Sequence, residues 1–380
     1  MATLNNPFVV YGYKGAEYFC DRQKETEKMI STLYNERNIT LVAPRRMGKT
    51  GLIHHVFHQM EEQYEGVKCF YLDIFATKNL EQMVQLMASE IIGKLDTVSQ
   101  SALRKVQELV SSWRPTLTID ELTGIPTISL DLKPSEGRES LKRIFEYLKQ
   151  SGKRCYIAID EFQQIGDFAD SLTFQKKLRG IWQLQTHVSY CLYGSKKHMM
   201  ERMFQNSSYP FYRFGDLFYL GKISEADWTE FICQRVEFTG KHIPEQLAQS
   251  ICRVTDRYSS YVQQLAWLVW LHTDDTATET DLQNAIDRLL DACEPLFIQQ
   301  TEDMSSYQMN FLHAIANGVN TGFTQSAVLK KYQLGTAANI TRLKKSLTEK
   351  DIITTVAPKT LAISDPILQM WLKRRVWREQ

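Results

Sequence analysis

Ile39-Thr-Leu-Val-Ala-Pro-Arg-Arg-Met-Gly-Lys-Thr50 is an apolar run that breaks into a basic, glycine-containing loop. It reads as a strand-to-loop-to-helix phosphate cradle. In such a P-loop, here Pro44, Arg45, Arg46, Met47, Gly48, Lys49, Thr50 and Gly51, backbone N–H groups wrap the phosphates. Lys49 reaches the β/γ-oxygens and the Thr50 hydroxyl ligates Mg²⁺. The next residues, Gly51-Leu-Ile-His-His-Val-Phe-His-Gln-Met60, carry apolar side chains at helical spacing, so the positive end of a helix points at the anion. ATP or ADP with Mg²⁺ is the expected ligand. The competing reading is a chance Gly-Lys-Thr at a helix N-terminus. The loop departs from GxxxxGK[ST] at its first position, Ala43; if that residue needed φ > 0, its Cβ would cost on the order of 1 kcal/mol.

Further along, Arg154-Cys-Tyr-Ile-Ala-Ile159 is a short apolar run ending in Asp160-Glu161. A buried strand delivering two carboxylates supplies what a P-loop ATPase needs: Asp160 for the Mg²⁺ shell and Glu161 to polarise the attacking water. A solvent-exposed helix N-terminus is the alternative. A third strand-like run, Val188-Ser-Tyr-Cys-Leu-Tyr193, ends in Gly194-Ser195. In ATPases that insert a strand between the two Walker strands, a polar residue at its tip senses the γ-phosphate, and Ser195 stands there; a plain strand-ending turn is weighed equally.

The box Tyr18-Phe-Cys-Asp-Arg-Gln-Lys-Glu25, the Pro-Arg-Arg-Met-Gly-Lys-Thr loop, Ile-Asp-Glu-Phe-Gln (159–163), Tyr-Gly-Ser (193–195) and Pro-Phe-Tyr-Arg (210–213) together resemble the archaeal-type ATPase family. That family lies among the AAA+/STAND-like P-loop proteins and is similar to archaeal origin-recognition ATPases. The resemblance spans essentially the whole chain, and it specifies fold and nucleotide better than biological role. It implies that Lys49 and Thr50 serve phosphate and Mg²⁺, that Asp160 and Glu161 are the Walker B pair, and that Ser195 is the first sensor. Arg213 matches an arginine that reads the γ-phosphate in cis or reaches a neighbouring subunit, the alternative being a surface arginine lying over aromatics. Tyr11 to Asp21 is implied to pack beside the adenine. No residue in Arg257-Tyr-Ser-Ser-Tyr-Val-Gln-Gln-Leu265 qualifies as a second sensor; Arg257 is the nearest.

The expected fold is α/β: a P-loop NTPase parallel sheet with an AAA+-like core over 1–220, then a helical lid over 221–298 and a winged helix-turn-helix over 299–380. Strands are predicted at 38–42, 68–74, 154–159, 188–193 and 217–220. A β-hairpin insertion near 112–135, turning at Thr123-Gly124, either covers the sheet edge or meets a partner, with the first favoured. Ser224-Glu-Ala-Asp opens the lid with a capping-type onset. Helices at 306–316, 324–332 and 337–350, then short strands from Ile352 and Thr360, give the winged-helix order.

Thr301 to Gln380 holds 11 Lys/Arg against 6 Asp/Glu in a chain of net charge +1, so the last module is basic and the rest slightly acidic. That is the electrostatic footprint of double-stranded DNA contact. Asn339, Thr341, Arg342, Lys344 and Lys345 on the proposed recognition helix are the candidate DNA-binding residues. A solvated helix face in a packing domain competes, and a protein partner or self-association stays open.

Composition is that of a water-soluble chain: 43% hydrophobic, 23% charged, with no apolar run of membrane-spanning length. Seven cysteines without CxxC or Cys/His spacing fit a reducing, cytoplasmic setting and speak against structural zinc. No nucleophile–base pair supports a protease or transferase. The expected function is a slowly hydrolysing switch ATPase coupling nucleotide state to DNA or a partner; the alternative is a nucleotide-gated scaffold with little hydrolysis and no DNA binding.

Overall fold

The computed structural model describes residues 6–95, 114–119, 126–131 and 137–378. Its strands are β1 (Ile39–Val42), β2 (Val67–Asp73), β3 (Arg114–Ile119), β4 (Pro126–Asp131), β5 (Arg154–Asp160), β6 (Val188–Gly194), β7 (Asp216–Tyr219), β8 (Ile353–Ala357) and β9 (Thr360–Ile363). Five of them form one sheet in the order β2-β5-β6-β1-β7, with every pair parallel. All residues of β1 and β6 are buried, which is why these strands read as unbroken apolar runs: helices cover both faces of a parallel sheet. The register pairs Val42 with Gly194 and Ile159 with Leu192. The ends of β1, β6 and β5 therefore leave the sheet side by side, at the edge where open α/β sheets bind ligands.

Around the sheet run α1 (Gln23–Tyr34), α2 (Lys49–Gln63), α3 (Leu80–Leu95), α4 (Gly137–Gln150), α5 (Ser171–Trp182) and α6 (Lys197–Gln205). One core face is aromatic: Trp182 stacks on Tyr190 at 4.3 Å between centroids, and Phe162 meets Phe211 edge-on at 5.0 Å. Each such ring contributes roughly 1.5–3 kcal/mol of burial. β3 and β4 pair antiparallel as a separate two-stranded sheet and add no strand to the edge at β2. The turn expected at Thr123-Gly124 lies outside the described residues.

The chain divides into two compact units, Gly12–Gly221 and Met1–Tyr11 with Lys222–Gln380. In this division residues 6–11 group with the second unit, whereas the expected core runs over 1–220. Phe8 is apolar and finds its burial against Phe231, while Arg235 Nε donates to Pro7 O at 2.9 Å and Val9 N to Gln263 Oε1 at 3.2 Å.

The second unit holds α7 (Glu225–Glu237), α8 (Glu245–Val254), α9 (Ser259–His272) and α10 (Glu279–Thr301). Ser224 caps α7 by accepting from Asp227 N at 3.0 Å. It continues as α11 (Ser306–Ala316), α12 (Ser326–Lys331), α13 (Ala337–Glu349), the β8–β9 wing, α14 (Pro366–Trp371) and a π-helical turn, Leu372–Val376. The expected boundary at 298/299 falls inside α10, so lid and winged helix share a helix. Phe297, fully buried and 5.8 Å from the Trp371 ring, explains the continuity despite Pro295 in the helix.

Further bonds join the two parts. Tyr258 Oη donates to Ser364 O and Tyr261 Oη to Asp365 Oδ2, both at 2.7 Å, and Trp371 Nε1 donates to Glu294 Oε1 at 3.0 Å. Arg375 pairs with Asp291 at 2.9 Å, and Arg374 and Arg375 both face Asp287, at 3.9 and 3.6 Å.

Candidate functional site

The loop after β1 wraps the N-terminus of α2. Its left-handed residues are Arg46 (φ 66°) and Gly48 (φ 86°). Ala43 is absent from the left-handed set, so the expected cost of its Cβ does not arise. Lys49 is buried, and its Nζ donates to the carbonyls of Ala43 at 2.9 Å and Pro44 at 2.8 Å. Burial lowers the Lys49 pKa to about 8, against the upward pull of Asp160 and Glu161 and with a smaller downward push from Arg45.

β5 delivers Asp160 opposite that lysine's helix turn. Thr50 Oγ1 donates to Asp160 Oδ2 at 3.1 Å, and Glu161 N donates to Asp160 Oδ1 at 2.7 Å. Burial raises the Asp160 pKa to about 6; the Glu161 N–H opposes this, and the Glu161 charge adds to it. Glu161 itself turns left-handed (φ 50°), which aims its side chain along the sheet edge toward β6. There its Oε2 accepts from Ser195 Oγ at 3.0 Å and from Gln163 Nε2. Ser195 Oγ in turn accepts from Arg45 Nε at 3.3 Å.

A single hydrogen-bonded chain thus runs Thr50–Asp160–Glu161–Ser195–Arg45, across three adjacent strand ends. The paired Thr50 hydroxyl and Asp160 carboxylate are the oxygen donors a Mg²⁺ shell needs, and a buried ammonium satisfied only by loop carbonyls is suited to receive phosphate oxygens. Arg213 stands apart: it is exposed, left-handed (φ 52°), and its guanidinium lies 5.2 Å from the Tyr212 ring. Among the described residues it joins none of the bonds of this chain.

From the leading segment, Tyr13 and Phe19 reach α2. Tyr13 Oη lies 2.8 Å from His55 Nδ1, and Phe19 stacks on the His55 ring at 4.2 Å. In the motif box, Arg22 is buried and holds Glu25 at 2.8 Å and Gly221 O at 2.7 Å. Gln163 and Arg22 stand within the motifs, but the burial of a polar side chain has no signature of its own in the sequence.

On α13 the candidates split. Thr341 and Arg342 are exposed, with Arg342 Nη2 donating to Asn339 Oδ1 at 2.9 Å, while Asn339 Nδ2 donates to Leu334 O at 3.0 Å. Lys344 sits 5.0 Å from the Phe323 ring, and Lys345 faces Glu349 at 3.9 Å. No described helix is long and apolar enough to cross a membrane, no described His/Cys/Asp/Glu group is arranged to hold a metal by itself, and the cysteines are free.

Fold and site define a P-loop NTPase with an AAA+-like core, a helical lid and a winged helix. Residues 295–374 match a family model described as a probable winged helix domain. Two proteins of Methanocaldococcus jannaschii, both named uncharacterized ATP-binding proteins, are 31% and 29% identical over 164 and 168 residues, each match covering 39% of this chain. The chain spans less than half the length of these relatives (44% and 43%). In structure it is similar to a Walker-type ATPase of Pyrococcus abyssi, with TM-score 0.69 at 17% identity over 96% of this chain and 99% of that one. It is also similar to the ORC1 protein of Aeropyrum pernix solved in complex with DNA, with TM-score 0.53 at 11% identity over 95% and 94%. These findings support the archaeal-type ATPase family that the motifs resemble.

Proposed function

We propose that this chain binds ATP with Mg²⁺, hydrolyses it slowly, and uses the nucleotide state to control DNA or partner binding through the winged helix. The observation that carries the reading is the bonded chain of Thr50, Asp160, Glu161 and Ser195 next to Lys49 at the ends of β1, β5 and β6. In this reading Lys49 leaves the loop carbonyls for the β/γ-phosphates. Thr50 and Asp160 would hold Mg²⁺, which would supply charge neutralisation at the phosphates. Glu161 takes a proton from a water whose oxygen attacks the γ-phosphorus, as the bond to the β-phosphate oxygen breaks. ATP binding is also what the relatives' names state.

Glu161→Gln keeps shape and removes the base. ATP should bind as before while phosphate release falls roughly 10²-fold or more. Wild-type release no faster than the variant's, with Mg²⁺, DNA and partners present, overturns the hydrolytic reading.

The gated scaffold is the second reading, favoured by α13, where Asn339, Lys344 and Lys345 already have partners within the unit. DNA contact draws support from the basic module and from a fold shared with a protein solved on DNA.

A further inference from the structure

We propose that Gln163 is a positioning residue for Glu161, the group that keeps this carboxylate in place once nucleotide has arrived; the proposal rests on Glu161 acting as the base. Gln163 lies in the 3₁₀ turn Phe162–Asp167 directly after Glu161 and is only 2% exposed. Its Nε2 donates to Glu161 Oε2, the oxygen that also accepts from Ser195 Oγ at 3.0 Å and Ser195 N at 3.5 Å. Three donors converge on one oxygen, and no described residue donates to the other. One carboxylate oxygen is held while its mate stays available to a water.

The amide is kept against a cost. Its Oε1 is buried without a partner and is pressed to Gly194, where a Cβ would come within 1.8 Å of it. Leaving such an oxygen buried and unpaired is unfavourable, and an apolar side chain of similar length avoids that cost. Local rules of this kind are broken where function needs the group.

The donors also differ in what else they must do. A serine hydroxyl has a single O–H, and that of Ser195 is directed at Glu161 while its oxygen accepts from Arg45. If Ser195 turns to a γ-phosphate, its hydroxyl bond to Glu161 is lost. The Gln163 amide, two residues from Glu161 and sealed from solvent, has no anion competing for it. It remains to hold the carboxylate.

Gln163→Met keeps length and apolar contact and removes the amide. Affinity for a non-hydrolysable ATP analogue should stay within about two-fold while kcat falls about 10-fold or more, a split between binding and turnover. A residue that only packs against Gly194 would change stability and leave kcat at saturating ATP where it is. A double-mutant cycle in urea midpoint between Gln163→Met and Glu161→Ala should be non-additive. Retained kcat, or an additive cycle, overturns the proposal. Absent phosphate release by the wild type instead overturns the hydrolytic reading of Glu161, and the cycle then still decides whether Gln163 holds it.

Discussion

The strand-end site and the α13 face both carry basic side chains, yet they hold them differently. Lys49 is buried at the first residue of α2, its charge disfavoured by desolvation and satisfied by two carbonyls of the preceding loop. Arg342 and Lys345 stand in water on a helix surface, paired with Asn339 and with Glu349. Burial makes the first position specific: an ammonium in low dielectric gains much from one correctly placed anion. Exposure makes the second adaptable and salt-sensitive, each charge contributing little by itself.

The largest effect separating the two should come from Lys49→Ala, with ATP affinity falling roughly 10²-fold or more as a charge-assisted contact is deleted. Isothermal titration with Mg²⁺ reads it. Unchanged affinity breaks the comparison at its stronger side.

Asp160→Asn should next reveal the strain of the buried site. Burial raises the Asp160 pKa from 3.8 to about 6, so the folded chain holds that proton more tightly than the unfolded chain does. Ionisation therefore lowers stability progressively between pH 4 and 6, by up to about 2–3 kcal/mol above that window. The asparagine variant should melt several degrees higher than wild type at pH 7.5, lose that gain near pH 4, and bind Mg²⁺-ATP more weakly. A lower melting temperature at pH 7.5 would mean that the carboxylate is a net stabiliser without its ligand.

The smallest effect per residue belongs to α13. Replacing Arg342, Lys344 and Lys345 by Ala should weaken DNA binding at every sequence and reduce the slope of log K against log salt by about 0.9 for each lost contact. Lys344, lying on Phe323, should contribute least. Fluorescence anisotropy at several salt concentrations, with and without ATP, measures it; no wild-type DNA binding at all favours the gated scaffold.

Much of this was legible beforehand because the two sites differ in the same way as sequences. Parallel strands buried on both faces write themselves as short aliphatic runs, and the residues that follow β1, β5 and β6 are those named from the motifs. The wing and α11 were legible for a related reason, since capping at Ser305 and a two-strand turn are local events. What escaped depends on tertiary burial. Nothing local told that Phe8 would leave the core for the lid, that Phe297 would carry α10 through Pro295, or that Gln163 would turn inward onto Glu161. On α13 the pattern located the helix but could not show which of its charges already had partners.

The tail clasp on α10 bears on how the winged helix is to be tested alone. Cutting at 299 severs α10 two residues after Phe297 and strips Arg374, Arg375 and Trp371 of Asp287, Asp291 and Glu294. The fragment would carry two unmasked guanidiniums and an orphaned indole. Its retention on any polyanion, heparin as readily as DNA, would then exceed that of the intact chain, and a fragment beginning at Thr278, the cap of α10, is the one whose affinity speaks for the whole.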